Sequence, residues 1–181
     1  MTEIQIIEAV KDNNRLAFRQ LVESYSDFAF AVAFRIVNNT DDAKDIVQEA
    51  FIKTWEKRAS IKLNGSFKWW LRKVVVNNSY DQLRKRKRQA INPDVNAYKL
   101  MAGIISDEDS EKDLTNSELS GIILALTNKL SPKQKLVFTL SELEGMNHDE
   151  VVEATGLSKT SIKSNLSHAR SKMEKMIRKY L

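Results

Sequence analysis

Five conformational marks between residues 131 and 158 leave little choice in how the end of this chain folds. Ser131-Pro132 pairs a helix-capping side chain with a proline at the first helical position, where a missing N–H does no harm. Gly145 stops that helix. Asn147 caps a second one, with Glu150 three residues on in capping-box spacing, and Gly156 ends it. Ser158 then opens a last helix that runs towards Leu181. A short helix, a turn of Gly156-Leu157-Ser158 and a longer helix make the layout of a helix-turn-helix.

Breakers are scarce elsewhere. With 5 glycines and 2 prolines in 181 residues and no clear alternating apolar run, the expected fold class is all-α. Helical periodicity continues to about Arg88, interrupted near Asn13-Asn14, Asn38-Asn39-Thr40 and residues 60–66. A connector with Pro93, Gly103 and an acidic tract at 107–113 follows, and its composition suits a flexible tether. Helix resumes near Leu119. The expectation is two helical domains, a bundle over 1–89 and a helix-turn-helix unit over 119–181, joined by a flexible acidic linker over 90–118.

Several function classes are unpromising. Cysteine is absent, and His148 and His168 alone cannot build a metal site. No Gly-rich phosphate loop and no nucleophile–His–acid arrangement stands out, so neither an enzyme nor a cofactor is expected. No apolar run approaches membrane-spanning length and no signal-peptide pattern opens the chain, which points to a cytoplasmic protein without membrane insertion. Charge is more telling. Residues 1–89 carry 17 Lys/Arg against 11 Asp/Glu, residues 90–120 carry 2 against 7, and residues 121–181 carry 10 against 6. Two basic blocks around an acidic connector suit two modules that face one polyanion.

Helical projection assigns faces. In the last helix Ile162, Leu166, Ala169, Met173, Met176 and Ile177 fall on one stripe. The opposite stripe holds Thr160, Ser164, Ser167 and Ser171, flanked by Lys163 and His168. Small hydroxyls edged by cations let a helix sit deep in the major groove and bond base edges or phosphates. An ordinary amphipathic helix packed in a bundle is the alternative.

Residues 69–88, WWLRKVVVNNSYDQLRKRKR, put Trp69, Leu71, Val75, Val76, Tyr80 and Leu83 on a core side, with Arg72 intruding and obliged to snorkel or pair. The other side reads Trp70, Lys73, Val74, Asn77, Asp81, Arg84 and Arg88. An aromatic, an amide and cations on one face suit unpaired nucleic acid, where stacking alone is worth about 1–3 kcal/mol per base. Adjacent tryptophans diverge by about 100°, so Trp69 is expected inside and Trp70 at the surface. Both in the core, with the cations merely solvated at a helix end, is the competing reading. Asp81 is expected to pair with Lys85.

A third surface has the opposite sign. Thr40 is the expected cap of a helix whose inner stripe is Ala43, Ile46, Val47, Ala50, Phe51 and Thr54. Asp41 and Asp42 lie in its first turn, and Asp41, Asp45, Gln48, Glu49 and Ile52 lie outside. Such a stripe repels DNA and fits a protein partner that presents Lys or Arg; the plain alternative is a solvated face.

Asp42-Ala43-Lys44-Asp45-Ile46-Val47-Gln48-Glu49-Ala50-Phe51, then Trp70-Leu71 with Asn77, Asp81 and the Arg/Lys run, then Leu130-Ser131-Pro132, Val137-Phe138, Glu150-Val151, Gly156-Leu157-Ser158 and Ile162-Lys163-Ser164 follow one another in a telling order. This series resembles the extracytoplasmic-function (ECF) sigma factors of bacterial RNA polymerase, over roughly residues 15–88 and 119–181. The resemblance implies an alternative sigma factor that binds core RNA polymerase and directs promoter-specific initiation. It implies a core-polymerase interface at Asp41, Asp42, Asp45, Gln48, Glu49 and Ile52, meeting the β′ coiled coil, with the β flap as a further contact. It implies −10 contacts at Lys62, Asn64, Trp70, Lys73, Asn77, Asn78, Arg84, Lys85 and Arg88, the loop at 60–67 helping to hold a flipped base. It implies −35 contacts at Ser158, Lys159, Thr160, Lys163, Ser164, Ser167 and His168. It also implies promoter DNA and an anti-sigma factor as partners, an acidic linker threading the polymerase near its RNA path, and a monomer when free.

Lys135, Asn165 and His168 stand where the family often has Arg, so −35 contacts there should be weaker or different. Ala154-Thr155 replaces larger apolar residues and should pack more loosely. A stand-alone helix-turn-helix regulator that binds duplex operator DNA is the alternative function, and it has no use for a base-stacking face at Trp70 and Asn77.

Overall fold

The structure, a computed structural model, describes residues 2–61, 66–89 and 116–179. Among them there is no strand, and the helices form two units. The first contains α1 (Glu3–Lys11), α2 (Arg15–Val37), α3 (Thr40–Glu56), a 3-10 turn at Arg58–Ser60, and α4 (Phe67–Gln89).

Asparagines make the breaks. Asn14 accepts hydrogen bonds from the Leu16 and Ala17 amides and so caps α2. Asn38 ends α2 in the left-handed region at φ 51°, a conformation asparagine tolerates better than most residues. That turn leaves Asn39 extended, and Asn39 rather than Thr40 caps α3, accepting from the Asp42 amide at 2.9 Å. The sequence reading was one residue late there. α4 is capped partly from a distance: the Glu3 carboxylate accepts from the Phe67 amide at 3.0 Å and also from the Tyr25 hydroxyl. Burial, aided by Glu3, pushes the Tyr25 phenol up to about 12.

The four helices close on Leu21, Ile36, Ala43, Phe67, Leu71 and Val75, all 2% exposed or less. Burying one such large apolar side chain contributes roughly 1.5–3 kcal/mol. Trp69 departs from its expected place: it is half-buried rather than in the core, because it turns towards the second unit. Asp81 meets Arg84 at 3.8 Å, not Lys85.

The second unit runs α5 (Asn116–Thr127), α6 (Pro132–Phe138), a π turn at Thr139–Leu143, α7 (His148–Thr155) and α8 (Lys159–Ile177). Helix therefore reaches into the stretch read as linker at 90–118, and residues 90–115, with the tether assigned to them, lie outside the described residues. The expected caps hold: Ser131 with Gln134 and Asn147 with Glu150 form capping boxes, and Ser158 accepts from the Ser161 amide. Gly145 and Gly156 occupy the left-handed region at φ 66° and 70°, which ends their helices without a Cβ penalty. In α8 the buried stripe is Ile162, Leu166, Ala169 and Met173. Ala154 is 1% exposed.

The units touch. α4 packs against α6 and α7, and α2 meets the π turn. In that turn the Glu144 amide bonds the Thr139 carbonyl, one residue wider than an α-turn, and Glu144 comes to the seam between units. Among the described residues no helix is long and apolar enough to cross a membrane.

Candidate nucleic-acid interface

α8 presents its polar stripe outward. Ser158, Lys159, Thr160, Lys163, Ser164, Ser167 and His168 are all exposed. Their placement follows from the buried stripe: with Ile162, Leu166 and Ala169 locked inward, positions about 180° away must face solvent. Lys159 alone of these makes an ion pair among the described residues, with Asp149 of α7 at 2.8 Å. The Lys159 ammonium holds the Asp149 carboxyl below the usual range. Lys163 and Ser167 line a hollow of about 300 Å³ with His148 and Arg170, so the face is cationic as well as open. Asn165 differs: half-buried, its amide donates to the Ser161 carbonyl at 2.8 Å and is spent within the helix.

α4 presents a more occupied face. Trp70 is half-buried and stacks on Phe67, ring centroids 5.7 Å apart at 21°, which leaves the indole at the surface rather than sealed inside. Arg84, Lys85 and Arg88 are exposed along the last turns. Lys73 is half-buried, its ammonium 2.6 Å from the Glu153 carboxylate of α7. Asn77 donates to the Lys73 carbonyl at 2.8 Å and to the Ala154 carbonyl at 3.4 Å. Asn78 does not join the face. It is 7% exposed in the contact between α3 and α4, where its amide oxygen accepts from the Lys53 ammonium at 2.7 Å. A turn of 100° from Asn77 carries it inward. Lys62 and Asn64 lie outside the described residues.

On α3 the acidic stripe stands clear at Asp41, Asp45, Gln48, Glu49 and Ile52, the last 49% exposed. Asp42 is the exception. It is 9% exposed and paired with Arg86 of α4 at 2.6 Å, so it braces two helices and is not available to a partner. Alongside the stripe runs a hollow of about 700 Å³ whose apolar walls include Val22, Phe30, Val47, Phe51 and Trp55. Charge and apolar surface thus lie together, as in a protein-binding face.

The seam between units contains residues the sequence did not single out for it. Glu144, whose side chain is 5% exposed, pairs with Arg35 of α2 and with Arg72 of α4 at 3.4 Å. Arg72, the cation that intrudes on the core side of its helix, is thereby paired, and it also lies over the Phe28 ring at 5.3 Å. The Glu153 carboxylate accepts from the Trp69 indole at 2.9 Å. Lys135 is 3% exposed and donates to Asn128 at 2.7 Å. Burial lowers its ammonium to about 8, with Arg86 adding to the effect and Asp42 opposing it. A buried Lys135 cannot reach a DNA phosphate in this arrangement. The spacing 69, 73, 77, one residue per helical turn, was the available signal for a single contacting stripe. What it would contact was not legible.

Comparisons with known proteins agree on both units. Residues 21–89 match the Sigma-70 region 2 family and residues 120–173 match Sigma-70, region 4. The ECF RNA polymerase sigma-E factor of Haemophilus influenzae is 27% identical, with 98% of this chain and 96% of the relative covered. The ECF RNA polymerase sigma factor SigW of Bacillus subtilis is 28% identical, with 95% of each covered. The fold is shared with CnrH, solved in complex with the cytosolic domain of CnrY, at TM-score 0.62 and 18% identity over 97% of both chains. It is also shared with the sigma factor RpoE of Bartonella quintana, solved with the anti-sigma factor NepR, at TM-score 0.59 and 24% identity over 89% of this chain and 96% of that one.

Proposed function

This chain belongs to the sigma-70 family, among its extracytoplasmic-function members, and we propose a division of that family's task among its three surfaces. It is an alternative sigma factor, which binds core RNA polymerase and directs promoter-specific initiation while the polymerase performs the chemistry. The unit over 1–89 captures the −10 element, the unit from α5 onward reads the −35 element, and the segment between them spans the polymerase. Trp70 stacks on an unpaired base, Lys73 and Asn77 hold the strand beside it, and Arg84, Lys85 and Arg88 follow the backbone. Lys163, Ser164 and Ser167 read base edges in the major groove, with Ser158, Lys159, Thr160 and His168 on phosphates. Asp41, Asp45, Gln48, Glu49 and Ile52 dock on a cationic helix pair of the polymerase. The site of action is the cytoplasm, and an anti-sigma factor of the kind solved with the Bartonella protein is the expected antagonist.

The observation that carries this reading is the open α8 stripe, a row of hydroxyls and cations of which only Lys159 has an ion-pair partner among the described residues. Reconstitution tests it. With core polymerase and fragmented genomic DNA, the protein should produce discrete transcript starts that core alone does not. The protein by itself should shift duplex fragments weakly. Tight duplex binding without polymerase, and no association with core, would instead establish the stand-alone regulator.

A further inference from the structure

None of the three surfaces includes α1, yet one of its side chains reaches the start of α4. The two oxygens of the Glu3 carboxylate take different donors. Oε1 accepts from the Phe67 amide at 3.0 Å and Oε2 from the Tyr25 hydroxyl. Phe67 is the first residue of α4 and fully buried, and its amide is one of those that a helix cannot satisfy from within. Ser66 serves another, its hydroxyl accepting from the Trp69 amide at 3.3 Å. Trp70 closes the same turn, its amide 3.3 Å from the Ser66 carbonyl. The rings extend the contact. Tyr25 meets Phe67 edge-on, centroids 5.1 Å apart at 67°, and Phe67 in turn supports the stacked Trp70. One carboxylate therefore fixes both the backbone of Phe67 and a ring wedged against it.

We propose that Glu3 is a positioning residue for −10 capture, which holds the Trp70 indole in its surface pose through Phe67 and Tyr25. The inference rests on the assignment of Trp70 to an unpaired base. Three features set this apart from ordinary packing. Ser66 already caps α4 locally, so what Glu3 adds, from 64 residues away, is a tie between the first turn and the Tyr25 ring. Glu3 is itself held in place, since Thr2 and Gln5 form a capping box around it and Ile7 and Val10 anchor α1 in the core. The Tyr25 phenol, pushed up to about 12, stays protonated and so remains a donor to the carboxylate. A base that leaves its partner gains most from a ring that is already placed, because a tilting indole must first be ordered. Glu3 does that ordering in advance, without touching nucleic acid.

Fluorine NMR of the fluorotryptophan-labelled full chain gives one resonance per tryptophan, and Trp70→Phe identifies that of Trp70. In Glu3→Ala this resonance should shift and broaden. With core polymerase, open-complex formation read by permanganate should fall roughly 3- to 10-fold, the size of a lost helix cap, while closed-complex binding barely changes. In the Trp70→Ala background the same substitution should cost less than about 2-fold more, because it acts through that ring. Glu3→Gln still offers an acceptor to the Phe67 amide and a donor to the Tyr25 hydroxyl, so it should keep most of the wild-type rate. Glu3→Asp, a methylene too short for both donors, should show the Glu3→Ala pattern at smaller size and replaces it if that variant does not fold. An unmoved Trp70 resonance, equal losses in closed and open complexes, or full multiplication with Trp70→Ala would each overturn the role. So would normal open complexes in Glu3→Ala where Trp70→Ala impairs them. If the resonance moves but Trp70→Ala alone leaves open complexes intact, Glu3 holds the indole and the −10 assignment of Trp70 falls.

Discussion

α4 and α8 carry the same kind of surface and meet different fates. Both are long amphipathic helices with cations and hydrogen-bonding groups opposite an apolar stripe. On α8 the polar stripe is left to solvent, with one exposed pair to Asp149. On α4 the corresponding stripe is answered from within the molecule, by Glu153 and Ala154 from α7 and by Glu144 beside the π turn. The difference follows from where acids fall. Among the described residues Asp149 alone lies at ion-pair distance from the reading face of α8, whereas α4 crosses the acidic end of the π turn and the outer side of α7. A basic helix is thus no guide to its own accessibility. What decides is whether the fold brings a carboxylate to it.

The largest expected effect breaks or confirms the seam itself. Lys135 is buried where the second unit approaches Asp42 and Arg86 of the first, and its ammonium is driven down to about 8. In the unfolded chain its value is the ordinary 10.5. Between those values the unfolded state binds more protons, so stability rises with pH across that window and is lost again as pH falls towards 8. A shift of this size corresponds to about 3 kcal/mol over the whole window. Tyr25 acts in the opposite sense above pH 10, since its raised value disfavours the folded state once the phenol ionises. Denaturant titrations between pH 8 and 9.5 should therefore show wild-type stability climbing, and Lys135→Met should be flat there and more stable at pH 7. An unchanged slope in Lys135→Met would mean that the two units do not bury this lysine between them.

Trp70→Ala sharpens the comparison next. If α4 carries the melting function and α8 only duplex reading, the substitution should lower open-complex formation by roughly 5- to 150-fold, as loss of one stacked base at about 1–3 kcal/mol implies. Closed-complex binding should barely change. Permanganate reactivity of unpaired thymines separates the two steps, and Trp70→Phe should retain most of the activity. Equal loss in both steps would make Trp70 a folding residue, through its stack on Phe67.

The two helices also differ in how readable they were. For α8, local chemistry decided everything: Ser158 caps, Gly156 turns, and the buried Ile162–Leu166–Ala169–Met173 stripe fixes the outward face. Each of those signals lies within a few residues of what it controls. For α4 the decisive neighbours lie far along the chain. Projection sorted Trp69 into the core and Trp70 to the surface, and Trp69 is half-buried instead, because the bond that turns it comes from Glu153. Asn77 and Asn78 differ by one 100° helical step, and their partners, the Ala154 carbonyl on α7 for one and Lys53 on α3 for the other, lie far along the chain. Asp42 read as one more acid on a stripe until Arg86, from the end of α4, claimed it. Local capping and periodicity are properties of a segment, while the use of a polar side chain is a property of what packs against it.

Asp42 and Asp45 give the smallest and most local test. They are three residues apart on α3, both acidic, one 9% exposed and bound to Arg86, the other exposed among the described residues. Asp45→Arg should weaken binding to core polymerase by about 5-fold, chiefly through slower association, since a rim charge steers encounter more than it holds the complex. Its unfolding midpoint should stay within the scatter of a surface change, about 0.5 kcal/mol. Asp42→Asn should reverse the pattern. Losing its pair with Arg86 costs about 1 kcal/mol of stability, since the arginine is half-exposed and water replaces part of the bond, while polymerase affinity stays near that of the wild type. Surface-binding kinetics with immobilised core enzyme, beside thermal melts of the same preparations, read both quantities. If Asp45→Arg leaves association untouched, the acidic side of α3 is a solvated face, and the polymerase must be held elsewhere on this unit.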